Sequence, residues 1–238
     1  MFSVNLCLIA TGRYRGLLPR VLDSARKFFC ADFETRFFVW SDEPIESRPY
    51  ATWVPAEHKP WPAVTLHRYR TILAAREVLA QAEYTFYADA DLLFVRHVGE
   101  EILSDLVGVI HPGHEHDPPA RMPFESRLES AAWVSPRWRR RYYIGAFQGG
   151  RTERWLAAAE DIDGWIRQDE AQGIVTPWQD ESYWVKYLAI HPPTLALTPD
   201  YCTYPDVEAV TGRPGNNRLR TRKILHMPKD EIALRTNT

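Results

Sequence analysis

Apolar runs and helical-period stretches alternate from the N-terminus. Residues 2–9 are rich in apolar and β-branched residues and read as a buried strand. After a turn at Thr11-Gly12, residues 16–29 carry Leu17, Leu18, Val21, Leu22, Ala25 and Phe28 at helical spacing. Residues 35–40 and 51–54 read as the next strands. Residues 57–61, with Pro60 inside and Pro62 just beyond, read as a loop. Residues 65–81 read as one helix with Leu66, Tyr69, Ile72, Leu73 and Ala80 on its buried side. Residues 84–88 form a fourth strand. This alternation predicts a parallel α/β sheet, whose ligands bind beyond the carboxyl ends of its strands.

Past residue 91 the pattern changes. Residues 106–111, 131–134 and 142–147 read as short strands separated by turn signals, residues 151–172 as a long amphipathic helix and residues 179–188 as a shorter one. Residues 212–223 read as a loop carrying Arg213, Arg218, Arg220, Arg222 and Lys223. No internal repeat or low-complexity segment is visible. A chain of 238 residues is long enough for one domain with a full core.

Composition narrows the functional classes. A net charge of −2 supplies no global basic field, which argues against nucleic acid as a partner. The three cysteines, Cys7, Cys30 and Cys202, are too sparse for a disulfide framework or a zinc pattern. With no signal-peptide pattern and no apolar run approaching the ~18 residues of a membrane span, the expectation is a soluble, cytoplasmic protein. Nine Trp and eleven Tyr suit either ordinary packing or a cleft with stacking platforms.

The chemistry-bearing residues are carboxylates. Asp89 and Asp91 stand one residue apart where an apolar strand runs out, and strand alternation would point both to one side. Two hard oxygen donors with an open face suit magnesium or manganese, with phosphates or water completing the shell. The bland alternative is a solvated turn, which the flanking apolar residues weaken. In Trp178-Gln179-Asp180-Glu181-Ser182 the carboxylates are either a capped helix start, with Asp180 as the cap and Glu181 in the first turn, or include a catalytic carboxylate beside an aromatic sugar platform. His111-Pro112-Gly113 ends a strand and is either a turn or a polar contact to substrate. The glycines of residues 142–150 mark tight strand packing or close approach of a ligand.

In order and spacing these segments resemble the family-6 glycosyltransferases, the group of the histo-blood-group A and B transferases and the α-1,3-galactosyltransferases. The likeness runs from Asp89-Ala90-Asp91 through residues 97–103 and His111-Pro112-Gly113, then residues 142–150 and 178–182, to Lys186-Tyr187-Leu188 and Pro199-Asp200-Tyr201. It is closest over residues 61–206. It implies a GT-A fold: a Rossmann-like nucleotide-binding half with a mixed central sheet (about residues 1–95), an acceptor and catalytic half (about 96–206) and a C-terminal tail (about 207–238), all in one domain.

The activity so implied is retaining α-1,3 transfer of galactose or N-acetylgalactosamine from a UDP-sugar to an oligosaccharide or glycolipid acceptor. An acceptor of the second kind would bring the protein against a membrane surface. By the same resemblance Asp89 and Asp91 hold manganese on the UDP diphosphate, and Glu181 is the catalytic carboxylate, as nucleophile or as stabiliser of an oxocarbenium-like state. Asp180 and Arg68 reach the donor, Tyr14 lies near the uracil, and Lys229 and Arg235 close a tail over the diphosphate. His111 and Trp178 contact the acceptor, and Trp61 lies in a loop over the site. Gly113, Ile144 and Ala146 fall where the family separates its two donors. Ala146 favours galactose, whereas Gly113 leaves more room.

Two departures stand out. Gln179 replaces a histidine of the mammalian members, and both aspartates are kept where many bacterial members carry Asn-X-Asn and work without metal. A soluble microbial enzyme fits. A dehalogenase-type phosphatase would need its Asp pair at the first strand. A metal-dependent nucleotidyltransferase, or a glycan-binding protein with a silent site, would share the pair.

Overall fold

The computed structural model describes residues 2–206 and 221–227. The chain builds β1 (Ser3–Ile9), α1 (Leu18–Phe28), β2 (Glu34–Ser41), β3 (Ala51–Pro55), α2 (Ala63–Leu66), α3 (Arg68–Leu73), α4 (Arg76–Leu79) and β4 (Tyr84–Asp89). It continues with β5 (Leu92–Phe94), β6 (Leu106–Ile110), β7 (Tyr143–Arg151), α5 (Thr152–Ala171), α6 (Gln179–Ile190), β8 (Leu195–Leu197) and β9 (Ile224–His226). The main sheet has the order β3-β2-β1-β4-β7-β6-β8. β1 pairs in parallel with β2 and β4, as β3 does with β2, while β7 runs antiparallel between β4 and β6. The expected α/β class, with a Rossmann-like front half and a mixed central sheet of GT-A type, is what the chain adopts.

Strands buried on both faces explain the unbroken apolar runs. One core cluster joins β1, α1, β4 and β7 through Leu6, Val21, Phe86 and Phe147; the other packs α3, α5 and α6 beneath the sheet through Tyr69, Trp155, Ile162 and Trp184. Strand order reverses between β1 and β4, whose carboxyl ends meet where Ile9 pairs with Asp89. Such a reversal opens a ligand crevice. Among the described residues no helix is long and apolar enough to cross a membrane.

Two sequence expectations fail locally, and three short strands were not anticipated. Residues 65–81 form three short helices, interrupted at His67 and Ala75, although the span holds neither Gly nor Pro. Ion pairs override its periodicity: Arg70 and His67 are drawn to Glu170 on α5, while Arg68 is drawn the other way into the site. Residues 131–134 are not a strand, because the Ala131 N–H is committed to Asp169 Oδ1 at 2.6 Å rather than to a ladder. β5, β8 and β9 span three residues each, too short for their periodicity to show.

Candidate active site

Asp89 is the last residue of β4 and Asp91 lies in the turn that leads to β5. The turn, not strand alternation, therefore sets Asp91. Met227 donates its N–H to the Asp91 carbonyl at 2.7 Å, and β9 pairs with β5 through Leu92 and His226, so the segment behind the aspartates is clamped. His226 stands between two groups, its Nδ1 3.8 Å from Asp91 Oδ1 and its Nε2 3.2 Å from Cys202 Sγ. Tyr204 stacks on the imidazole with ring centres 4.6 Å apart. Burial and the nearby charges of Asp89, Asp91 and Glu181 push the Cys202 thiol well up, so it stays protonated.

Arg68 organises the floor. It is buried, with Nε 2.8 Å from Asp180 Oδ2, Nη2 3.3 Å from Asp89 Oδ1 and Nη1 donating to the Gly145 carbonyl at 2.8 Å. The guanidinium lies 4.5 Å from the Tyr87 ring centre, and the Tyr87 hydroxyl donates to Asp89 Oδ1 at 2.7 Å. One planar cation thus ties the end of β4, the bend of β7 and the first turn of α6. The five fixed donors of arginine suit it to such a junction.

β7 supplies the bend. The pairing of β6 jumps from Gln148 to Ile144, so residues 145–147 bulge from that ladder. Freed there, the Gly145 N–H donates to Glu181 Oε2 at 2.8 Å. Gln148, fully buried, braces the bulge by donating to the Gly145 carbonyl at 3.0 Å and accepting from Tyr69 at 3.1 Å. A Cβ at Gly149 would lie 2.5 Å from the Thr85 carbonyl oxygen, so that glycine serves strand packing; at Gly145 it would make only an ordinary contact, 3.4 Å from Glu181 Cβ.

α6 begins without a side-chain cap, and Asp180 spends its carboxylate on Arg68 instead. The capping alternative is thereby overturned. Gln179 enters the helix at φ +44°, a conformation side chains rarely adopt, with its carbonyl held by the Thr176 hydroxyl at 2.7 Å. Strain of this kind concentrates at functional sites. Burial pushes Glu181 up to about 7, opposed by the Gly145 N–H and reinforced by Asp180. Burial likewise pushes Asp180 up to about 7 against the pull of Arg68.

The remaining sites expected from sequence distribute around this floor. His111 packs against Tyr142 with ring centres 5.7 Å apart and accepts the Gly113 N–H on Nδ1 at 3.0 Å; the nearly buried Tyr142 hydroxyl turns toward Glu181. Ile144 and Ala146 are buried in the first core cluster. Trp61 and Trp178 present aromatic surface, 64 % and 50 % exposed. Tyr14 sits in the 3-10 turn after β1, at whose head Gly12 (φ +57°) donates to Asp42 Oδ1 at 3.0 Å. Lys229 and Arg235 lie outside the described residues.

Tyr87, Tyr142 and His226 were given no role from sequence, and Gly145 was marked only as one of the strand glycines. Tyr87 carried a signal, standing two residues before Asp89 on one strand face. His226 carried none. Among the described residues no group of three or more metal-ligating side chains forms. The two aspartates suit a hard cation that takes its remaining ligands from phosphate and water, and not a closed zinc site.

The family model "Glycosyltransferase family 6" matches residues 1–236. The chain is similar to mouse (Mus musculus) globoside alpha-1,3-N-acetylgalactosaminyltransferase 1, with 29 % identity over 209 residues, 84 % of this chain and 60 % of that protein. It is 29 % identical over 243 residues to rat (Rattus norvegicus) histo-blood group ABO system transferase 2, covering 98 % of this chain and 71 % of the relative. The O-antigen biosynthesis glycosyltransferase WbnI of Escherichia coli is 26 % identical over 197 residues, covering 81 % of this chain and 84 % of the relative. The chain thus spans about 60 % of the length of the globoside relatives it matches.

Proposed function

The chain belongs to glycosyltransferase family 6, and from that premise we propose that it moves galactose, or N-acetylgalactosamine, from a UDP-sugar to a galactoside in α-1,3 linkage with retention. One observation carries this reading. Arg68 holds Asp89 and Asp180 on one guanidinium while its third contact, Gly145, orients Glu181. The end of the nucleotide crevice and the carboxylate suited to the anomeric carbon are thereby fixed to each other.

In this reading the donor lies across the carboxyl ends of β1 and β4, with Tyr14 toward the base. Asp180 accepts hydroxyls of the donor sugar, and Arg68 holds that carboxylate in place. Glu181, half-buried, oriented by the Gly145 N–H and faced by the Tyr142 hydroxyl, serves the anomeric carbon. There it either forms a glycosyl-enzyme or stabilises developing positive charge while the acceptor enters from the same face. His111 and Trp178 bind that acceptor, the indole covering an apolar sugar face. Asp89 and Asp91 would hold manganese, which supplies Lewis-acid neutralisation of the departing UDP. The globoside and the O-antigen in the names of the relatives support a glycan as acceptor.

The test is UDP release with manganese and either donor, with and without a panel of galactosides. Galactoside-stimulated release of UDP is expected. Sugar 1-phosphate in place of UDP would indicate nucleotidyl transfer, and donor binding without release would indicate a binding protein.

A further inference from the structure

The segment before β7 reads Ser135-Pro136-Arg137-Trp138-Arg139-Arg140-Arg141, four arginines and a tryptophan in seven residues. Its four guanidiniums are used in two different ways. Arg139 turns inward: Nε donates to the Val134 carbonyl at 2.9 Å, Nη2 to the Glu125 carbonyl at 3.4 Å, and the guanidinium lies 5.5 Å from the Phe124 ring centre. It rivets the segment to the body of the protein. Arg137, Arg140 and Arg141 are exposed, as is Trp138 at 40 %, with Arg137 over its ring at 5.3 Å.

These outward arginines differ from others on the surface. Arg15, Arg48, Arg70, Arg76 and Arg127 each sit against a carboxylate. Among the described residues no carboxylate forms an ion pair with Arg137, Arg140 or Arg141. Three exposed cations without ion-pair partners, adjacent in sequence to an exposed indole on a chain of net charge −2, form a local field rather than a global one. Nucleic acid would need a longer basic footprint. Anionic phospholipid needs only a few arginines within a Debye length of the headgroups, with an aromatic ring at the interface.

The patch also has a defined relation to the site. Arg141 is followed at once by Tyr142, whose ring packs on His111 and whose hydroxyl faces Glu181. We propose that residues 136–141 dock the protein on anionic phospholipid bilayers and so set the acceptor side of the site against a membrane surface. That the acceptor is lipid-borne rests on the sugar-transfer reading; docking itself does not, and vesicle binding requires no donor.

The test is co-sedimentation of the full chain with phosphatidylcholine vesicles containing about one-third phosphatidylserine, against phosphatidylcholine alone. Binding to the anionic vesicles only, weakened by added salt, is expected. Arg137→Gln with Arg140→Gln and Arg141→Gln should cut the affinity about fivefold per arginine, roughly a hundredfold together, with an unchanged unfolding midpoint. Brominated lipid should quench Trp fluorescence in the parent chain, and less so in Trp138→Phe. Equal binding to neutral vesicles, or an unaltered triple variant, would overturn the proposal. So would binding to soluble heparin without binding to vesicles.

Discussion

The backbone N–H of Gly145 donates to Glu181 Oε2 at 2.8 Å. The donor is free because β7 bulges at that residue, and the acceptor is in reach because α6 starts abruptly after Trp178. A single fixed dipole on one oxygen orients the carboxylate without neutralising it. Burial nevertheless dominates, holding the group protonated up to about pH 7.

Transfer through Glu181 requires its ionised form. Turnover should therefore fall as pH drops through about 7, an inflexion that a pH–rate profile under saturating donor would reveal. Glu181→Gln should nearly abolish transfer while UDP still binds. Stability should move the opposite way. The native carboxyl titrates at about 7 and the unfolded one at the ordinary 4.5, so between those values the native state binds more protons and its stability falls as pH rises. That interval corresponds to about 3 kcal/mol. Glu181→Gln removes the penalty, and its unfolding midpoint should exceed that of the parent chain above pH 7 but not below 4.5.

Arg68 makes a different prediction, because it serves three partners at once. Arg68→Ala leaves Asp180 buried with no cation beside it, a change that costs about 3–5 kcal/mol when a buried pair is broken. Arg68→Lys keeps the charge but not the fork, and should retain most stability while losing most turnover. Denaturant unfolding separates the two variants. Adding Asp180→Asn to Arg68→Ala should restore part of the lost stability, since the uncompensated charge is then gone. A double variant no more stable than Arg68→Ala would show that charge is not what the arginine balances.

How much of this was legible beforehand follows from the physics of each feature. The Rossmann-like half was readable because its strands are buried on both faces and its first helix is amphipathic. Asp89 and Asp91 were readable because carboxylates at the end of an apolar strand need a reason. Arg68 as a hub was not readable without the family resemblance, because a helix drawn through residues 65–81 gives no cause for an arginine to be buried, and only tertiary ion pairs break that helix. The role of Asp180 was ambiguous for a related reason: an aspartate beside a helix start serves equally as a cap, and Arg68 alone decides otherwise. Gly145 was marked as a strand glycine, but its release from the ladder depends on a register shift encoded by β6. Tyr142 and His226 reach the site through chain segments distant in sequence, with no local pattern to announce them.

The aspartate pair can be tested with little disturbance to its surroundings. The Asp91 turn is held through its backbone carbonyl by the Met227 N–H at 2.7 Å, so Asp91→Asn changes the charge and leaves that clamp in place. Calorimetric titration should show manganese and UDP each potentiating the other in the parent chain, and that coupling should be lost in Asp91→Asn at an unchanged unfolding midpoint. Chelation by EDTA should stop turnover, and added manganese should restore it. Full turnover in EDTA would refute the metal assignment.

The proposed sugar transfer makes a prediction about donor choice at the same bulge. Ala146 is 5 % exposed and packs with Ile144 in the first core cluster, one residue beyond the glycine that holds Glu181. If, as proposed, this position borders the donor sugar, its methyl restricts the space there, and a methyl-sized clash discriminates by about 1–3 kcal/mol, or 10–200-fold. Ala146→Gly should therefore raise kcat/KM for UDP-N-acetylgalactosamine relative to UDP-galactose by at least about tenfold. Gly113→Ala, which narrows the other such position, should lower that ratio. Gly145→Ala is not a suitable control, because it alters the residue whose N–H holds Glu181. Competition between the two donors in one reaction measures the ratio directly. A ratio unmoved by Ala146→Gly would place donor discrimination elsewhere in the site.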